Sequence, residues 1–370
     1  MDFEGLKKVL FLPTLARSIL YHRVEKFAKY MRMDKESTTA VMYDYNMGEN
    51  FNSWEANLQN PDFFKELSEL AETADIVITQ AVHTNQGMAM LCAIKEKFGI
   101  PVYAEFDDDP YSLSSQHPYF DNLAPGSQAE LWCDDLIQTV DGIFVSTEYL
   151  KEQFSKKCGN IHVIPNGIDF QVWDELKDKK RRGETINFGW VGGANHYEDL
   201  ELIEKPIKYI LDKYPSTRFI LAIGGEVPPF FARHKQIKSY DFEHWVPIEK
   251  YPQFMRNLHI DIGLAPLRDR SFNRAKSNLK WLEYSALKIP MIASPVEPYI
   301  GTSGLLAKTE DDWIKHMEDM IKHNSKRRRL GEDSYNMIKQ QFDVKDIAND
   351  YLKLIKVIIN KSNKRSNAHV

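Results

Sequence analysis

The stretch Phe272–Ser294, FNRAKSNLKWLEYSALKIPMIAS, sets Arg274, Lys276 and Lys280 around a helix start and one carboxylate, Glu283, a turn further in. Ser277 is a good capping residue, so the pattern predicts a helix from about Asn278 to Leu287. Free N–H groups and the positive dipole end of that helix, with Lys276 and Arg274 and with Arg268 and Arg270 from the loop before, make an anion site suited to a diphosphate. Lys280 and Glu283 are three apart and share a face, while Leu279, Leu282 and Ala286 form the face that packs on a sheet. The bland alternative is a surface Lys–Glu pair on a capped helix. Position favours the chemical reading, because the apolar run IDIGLAPL (260–267) lies just upstream and ligands of open parallel sheets bind where strands end.

Other stretches add candidates. In WVGGANH (190–196), Gly192 and Gly193 allow a ligand close to the backbone after a strand. The spacing is not G-x-G-x-x-G, so a dinucleotide fingerprint is unsupported, and a tight turn is the plainer reading. EFDDDPYSL (105–113) carries Asp107, Asp108 and Asp109 after another strand. Asp107 or Asp108 suits orienting a hydroxyl or taking its proton, while Asp109 is placed to cap a turn before Pro110. His83 follows the run ADIVITQAV and should point into the cleft, and His196 after the glycines is a comparable candidate for a ligand contact, although a lone histidine is more often structural. The stretch SILYHRVEKFAKYMR (18–32) is amphipathic, with Arg23, Lys26, Lys29 and Arg32 off the apolar stripe, and KRRR (326–329) is a basic run. By themselves both read as solvated helix faces.

These residues need a scaffold. Short apolar runs at 8–13, 74–82, 100–106, 141–147 and 161–166 alternate with helical patterns, and runs at 186–193, 218–225, 242–247, 260–267 and 289–294 repeat the scheme. Alternation of this kind implies parallel sheets covered on both faces, here two doubly wound Rossmann-like domains in series, α/β in class. The expected domains are 1–170 and 184–345, followed by a helix at 346–360 that packs on either one. With 370 residues, 43% hydrophobic and 27% charged, the composition is that of an ordinary globular protein. No apolar run reaches membrane-span length, the three cysteines form no C-x-x-C pair, and a cytoplasmic location is the default. Residues 1–168 hold 14 Lys+Arg against 25 Asp+Glu, a balance of −11, and the remainder is +6. The basic half suits an anionic ligand, and the acidic half argues against a whole-surface nucleic-acid binder.

IHVIPNGID (161–169), WVGG and DIGLAPL…KSNLKWLEYSALKIPMIAS together resemble the GT-B glycosyltransferases, most closely the retaining nucleotide-sugar-dependent family four. The resemblance runs from about Val9 to the terminal helix. It implies two Rossmann-like domains facing each other across a cleft, and transfer of a sugar from a UDP- or GDP-sugar to a hydroxyl acceptor with retention and without metal. The acceptor would be a glycan, a lipid-linked or small molecule, or modified DNA. Since basic first-domain helices of several relatives meet an anionic membrane, the resemblance also implies peripheral membrane contact through 18–32, which 326–329 would join. Glu283 matches the family's second glutamate, which holds the ribose, and Lys276, Ser277, Asn278 and Lys280 would surround the diphosphate and sugar. Trp245–Ile248, with Val246 at its centre, matches the nucleobase segment. The family's first glutamate is replaced by Ala275, and its glycine-loop Arg and Lys by Ala194, Asn195 and His196. Those departures keep open an epimerase of the same fold or a non-catalytic nucleotide-sugar-binding module.

Overall fold

A computed structural model describes residues 8–14, 17–33, 38–41, 54–113, 126–177, 185–193, 196–232, 234–241 and 246–367. The chain divides into two compact units. The first comprises Met1–Asn166, Ala275–Ser277 and Val344–Val370, and the second Gly167–Arg274 and Asn278–Asp343.

The first unit is built on six parallel strands: β1 (Lys8–Leu12), β2 (Thr38–Val41), β3 (Ile76–Thr79), β4 (Val102–Phe106), β5 (Gly142–Val145) and β6 (Ile161–Val163). Their order across the sheet is β2-β1-β3-β4-β5-β6. Side chains alternate between two faces, as strand geometry dictates. Leu10, Leu12, Val77, Val102, Ala104, Ile143 and Val145 meet the helices Pro61–Glu72, Asn85–Phe98 and Gln128–Thr139. Val9, Phe11, Ile76, Ile78 and Phe144 pack with Val24, Phe27 and Met31 and with Val344, Ile347, Tyr351 and Ile355 of the helix Val344–Asn367. The far end of the chain thus completes the first unit's core.

The second unit repeats the plan with β7 (Ile186–Gly193), β8 (Thr217–Gly224), β9 (Ile237–Asp241), β10 (Ile262–Ala265), β11 (Met291–Ala293) and β12 (Leu305–Leu306), all parallel, in the order β12-β11-β10-β7-β8-β9. The strand order reverses between β7 and β10. In the first unit it reverses between β1 and β3. Such switch points are where loops diverge and leave a crevice outside the carboxyl ends of the strands.

Several expectations need correction. The strand expected at 242–247 is found earlier, at Ile237–Asp241, and residues 242–245 lie outside the described ones. Ser277 does not cap a helix. The helix is Leu279–Ala286 with Asn278 at its N-cap and no side-chain cap bond, because the Ser277 hydroxyl accepts from Asn166 Nδ2 at 2.9 Å instead. The amphipathic stretch contains a π-helical turn, Tyr21–Glu25, and its cations are not all on a solvated face: Arg23 is 1% exposed and Lys26 2%. Arg23 turns toward the strand ends, where Glu105, the Ile164 carbonyl and Asn166 hold it, and Lys26 is enclosed beside His22 and the Tyr21 ring. This removes two of the four charges the membrane reading counted.

Candidate functional site

In the second unit the switch point between β7 and β10 brings together Lys280, Gly192 and Glu283. Lys280, near the start of Leu279–Ala286, reaches β7: Nζ donates to the Val191 carbonyl at 2.5 Å and lies 4.5 Å from the centre of the Trp190 ring. A Cβ on Gly192 would come within 2.8 Å of Trp190 and 2.9 Å of Lys280 Nζ, so glycine is required there for the lysine to sit at the strand end. One turn on, Glu283 is 8% exposed and accepts from the Tyr251 hydroxyl at 3.0 Å. Burial first, then the charge of Glu283, pushes the Tyr251 phenol well above its usual range, which keeps it a donor to the carboxylate. Tyr284, also on this helix, has its hydroxyl within hydrogen-bond reach of the carbonyls of Gly189 (3.2 Å) and Leu264 (3.3 Å), one on each strand of the switch point.

Asp199, which the sequence alone did not flag, stitches the two rims together. It is 4% exposed, accepts from the Arg268 backbone N–H at 2.7 Å and from Asn273 Nδ2 at 3.2 Å, and contacts His196 Nδ1 at 2.8 Å. The arginines expected around the diphosphate are each engaged by a carboxylate: Arg268 by Glu201 at 2.7 Å, Arg270 by Glu198, and Arg274 by Asp269 at 2.5 Å. Gly193 ends β7, and Val246 is half-buried just before a short 3-10 turn, Ile248–Lys250. Trp245 lies outside the described residues.

The remaining candidates belong to the first unit. Asn166, after β6, donates through Nδ2 to Asp107 Oδ1 (3.3 Å) and Ser277 Oγ (2.9 Å), and Lys276 Nζ lies 3.6 Å from Asp108 Oδ1. Lys276 and Ser277 are thus grouped with Asp107, Asp108 and Asn166 of the first unit. Ala275 is 0% exposed inside the first unit's apolar cluster, and its carbonyl accepts from Thr147 Oγ1 at 3.2 Å. Below them Arg23 Nε donates to Glu105 at 2.6 Å, and its Nη1 to the Ile164 carbonyl (2.8 Å) and Asn166 Oδ1 (3.0 Å). Burial raises the Glu105 carboxyl to about 7, against the opposing pull of Arg23. Burial likewise raises Asp107, again opposed by Arg23 and reinforced by Asp108. Asp109 accepts from the Tyr111 N–H (3.0 Å) and the Ser112 hydroxyl (2.7 Å), the capping role its sequence context offered.

His83 follows β3, its ring edge-on to Trp132 with centroids 6.4 Å apart, and burial lowers its pKa. Its backbone N–H and that of Thr84 both donate to Glu55 Oε1 at 3.0 Å. Glu55 and the Arg23–Glu105 pair have no signature in spacing, since their partners are 28 and 82 residues away. Among the described residues no group of three or more His, Cys, Asp or Glu is arranged to hold a metal ion.

This pair of Rossmann-like sheets is the GT-B fold. An alpha-glucosyltransferase, AGT, solved in complex with UDP, matches 95% of this chain and 100% of its own with a TM-score of 0.63 at 11% identity. The trehalose-6-phosphate synthase of E. coli bound with UDP-2-fluoro glucose matches 95% of this chain and 99% of its own, with a TM-score of 0.62 at 12% identity. The profile of a glycosyl transferase-like family matches residues 209–353. Among curated proteins the chain is similar to TuaH of Bacillus subtilis strain 168, assigned as a teichuronic acid biosynthesis glycosyltransferase, with 25% identity over 172 residues. That match spans 43% of this chain and 41% of TuaH, less than half of the relative's length.

Proposed function

We propose that the chain transfers a sugar from a nucleoside-diphosphate sugar to an acceptor hydroxyl. The observation that carries this reading is the placement of Lys280 and Glu283 on one helix face at the β7/β10 switch point, the lysine at the end of β7 and the carboxylate buried one turn below. A carboxylate accepts the two hydroxyl donors of a ribose. Lys280 and the helix N-terminus neutralise charge that grows on a departing diphosphate, an interaction stronger in the transition state than before it. UDP- and GDP-sugars are the donors to test, and UDP in the similar structures supports the first.

In the first unit Asp107, held by Asn166, orients the acceptor hydroxyl. The acceptor oxygen bonds to the anomeric carbon as the bond to the diphosphate breaks, and the hydroxyl proton leaves with the phosphate oxygen. Attack from the face the diphosphate vacates gives retention. The −11 balance of residues 1–168 weighs against a DNA acceptor, even though AGT has also been solved with UDP and DNA. Turnover is expected to persist in a chelator.

The test is nucleoside-diphosphate release from UDP- and GDP-sugars, with and without added acceptors, for the wild type and Glu283→Gln. Acceptor-stimulated release from one donor, lost in the variant, supports the proposal. Conversion of the donor into an isomeric nucleotide sugar would make the chain an epimerase instead, and donor binding without any turnover would make it a binding module.

A further inference from the structure

A helix that starts at the end of a β-strand beside a switch point offers backbone N–H groups to a phosphate. In the first unit that helix is Asn85–Phe98, which follows β3 and is capped by the Thr84 side chain on the Gly87 N–H at 3.0 Å. Its entrance is filled by a carboxylate from elsewhere in the chain. Glu55, 4% exposed, accepts from the N–H groups of His83 and Thr84 and, at 2.8 Å, from the Thr84 hydroxyl. A second oxygen, Oε2, lies 3.2 Å from the His83 N–H. These are the contacts a phosphate oxygen would make, and charge-assisted bonds of this type are the strong ones. The space is tailored to it as well, because a Cβ on Gly87 would run into Glu55 Oε1. The neighbouring groups add no demand for an anion: Asp107 and Asp108 follow the adjacent β4, and the buried Arg23 is bound to Glu105.

We propose that Glu55 is a resident stand-in for phosphate at the first unit's crevice. This deepens the glycosyltransferase reading and rests on it: with that position closed, the loop after β3 receives a hydroxyl-bearing acceptor that carries no phosphate there. The nucleotide's phosphates are then left to the second unit.

The test titrates the full chain with inorganic phosphate and follows the backbone amide resonances of His83 and Thr84 by NMR, with those of Gly192 and Lys280 as a second-unit reference. In the wild type the His83 and Thr84 signals stay fixed at phosphate concentrations that saturate the second unit. In Glu55→Ala they shift with a saturable dependence on phosphate, and in Glu55→Gln, which refills the space, the shift is at least tenfold weaker. Movement of the wild-type His83 and Thr84 signals overturns the proposal even if Glu55→Ala does not fold. So does a folded Glu55→Ala whose signals ignore phosphate. Neither result touches the donor reading, which falls only if Gly192 and Lys280 respond to neither phosphate nor nucleoside diphosphate.

Discussion

Lys280 is the side chain whose loss the donor site should register most directly. A hydrogen bond to a charged group is worth about 1.5–3 kcal/mol, so Lys280→Ala should weaken UDP or GDP binding by roughly 10- to 100-fold, measured by calorimetry. Ala275→Glu is the opposite experiment. A glutamate there restores the family's motif on paper, yet position 275 is fully enclosed by the first unit's apolar cluster. Burying an unpaired carboxylate costs several kcal/mol, so the variant should melt at least about 5 °C lower and gain no transfer activity. Glu105 gives a pH signature. Its folded pKa of about 7 lies above the value of an unfolded glutamate, so between about pH 4.5 and 7 the folded state holds the extra proton. The associated stability is present in full below that window and lost as pH rises through it. Glu105→Gln removes the titration and leaves Arg23 without its anion. Melting curves should show the wild type losing stability relative to this variant from pH 5 to pH 7, with the difference levelling off above that.

The helix Leu279–Ala286 is the element on which the donor site depends, and Tyr284 ties it to both strands of the switch point. Tyr284→Phe should cost about 1 kcal/mol of stability and raise the nucleotide Kd severalfold, because Lys280 and Glu283 ride on the same turn. The comparison of thermal shift with binding separates the two effects. This helix, its strand and the glycines of β7 were legible in the sequence, since apolar runs and helical periodicity are local signals. What escaped was long-range. Thr38–Val41 is a polar-edged strand, TTAV, which only its pairing with β1 defines. Leu305–Leu306 is two residues held by β11. Ser277 is a capping residue type, but Asn166, 111 positions away, claims its hydroxyl. Arg23 and Lys26 fall off the apolar stripe, but periodicity cannot reveal that Glu105, 82 positions away, claims the guanidinium or that Lys26 is enclosed. Glu55 and Asp199 were unremarkable letters until the loops they tie were in place.

At the scale of the molecule, the two units differ in what completes them. Each unit's strands follow one another in sequence, but the first unit also takes in the distant helix Val344–Asn367. Val344, Tyr351, Leu352 and Ile355 of that helix are buried in one cluster with β1, β3 and β5, and burying a large apolar side chain is worth about 1.5–3 kcal/mol. Four of them approach the whole 5–15 kcal/mol by which a domain is stable. A fragment of residues 1–166 should therefore lack a cooperative thermal transition, and adding a peptide spanning 344–367 should restore one; calorimetry decides it.

The same helix reorders events during synthesis. A ribosome releases the first 166 residues while β1, β3 and β5 still expose one apolar face, and it must make the whole second unit before the covering helix emerges. At roughly 5–20 residues per second that interval is on the order of ten seconds or more. The usual N-terminal-first order of domain folding is thereby inverted: the unit translated first is the last to close, and for that time its bare sheet is a natural client for a chaperone.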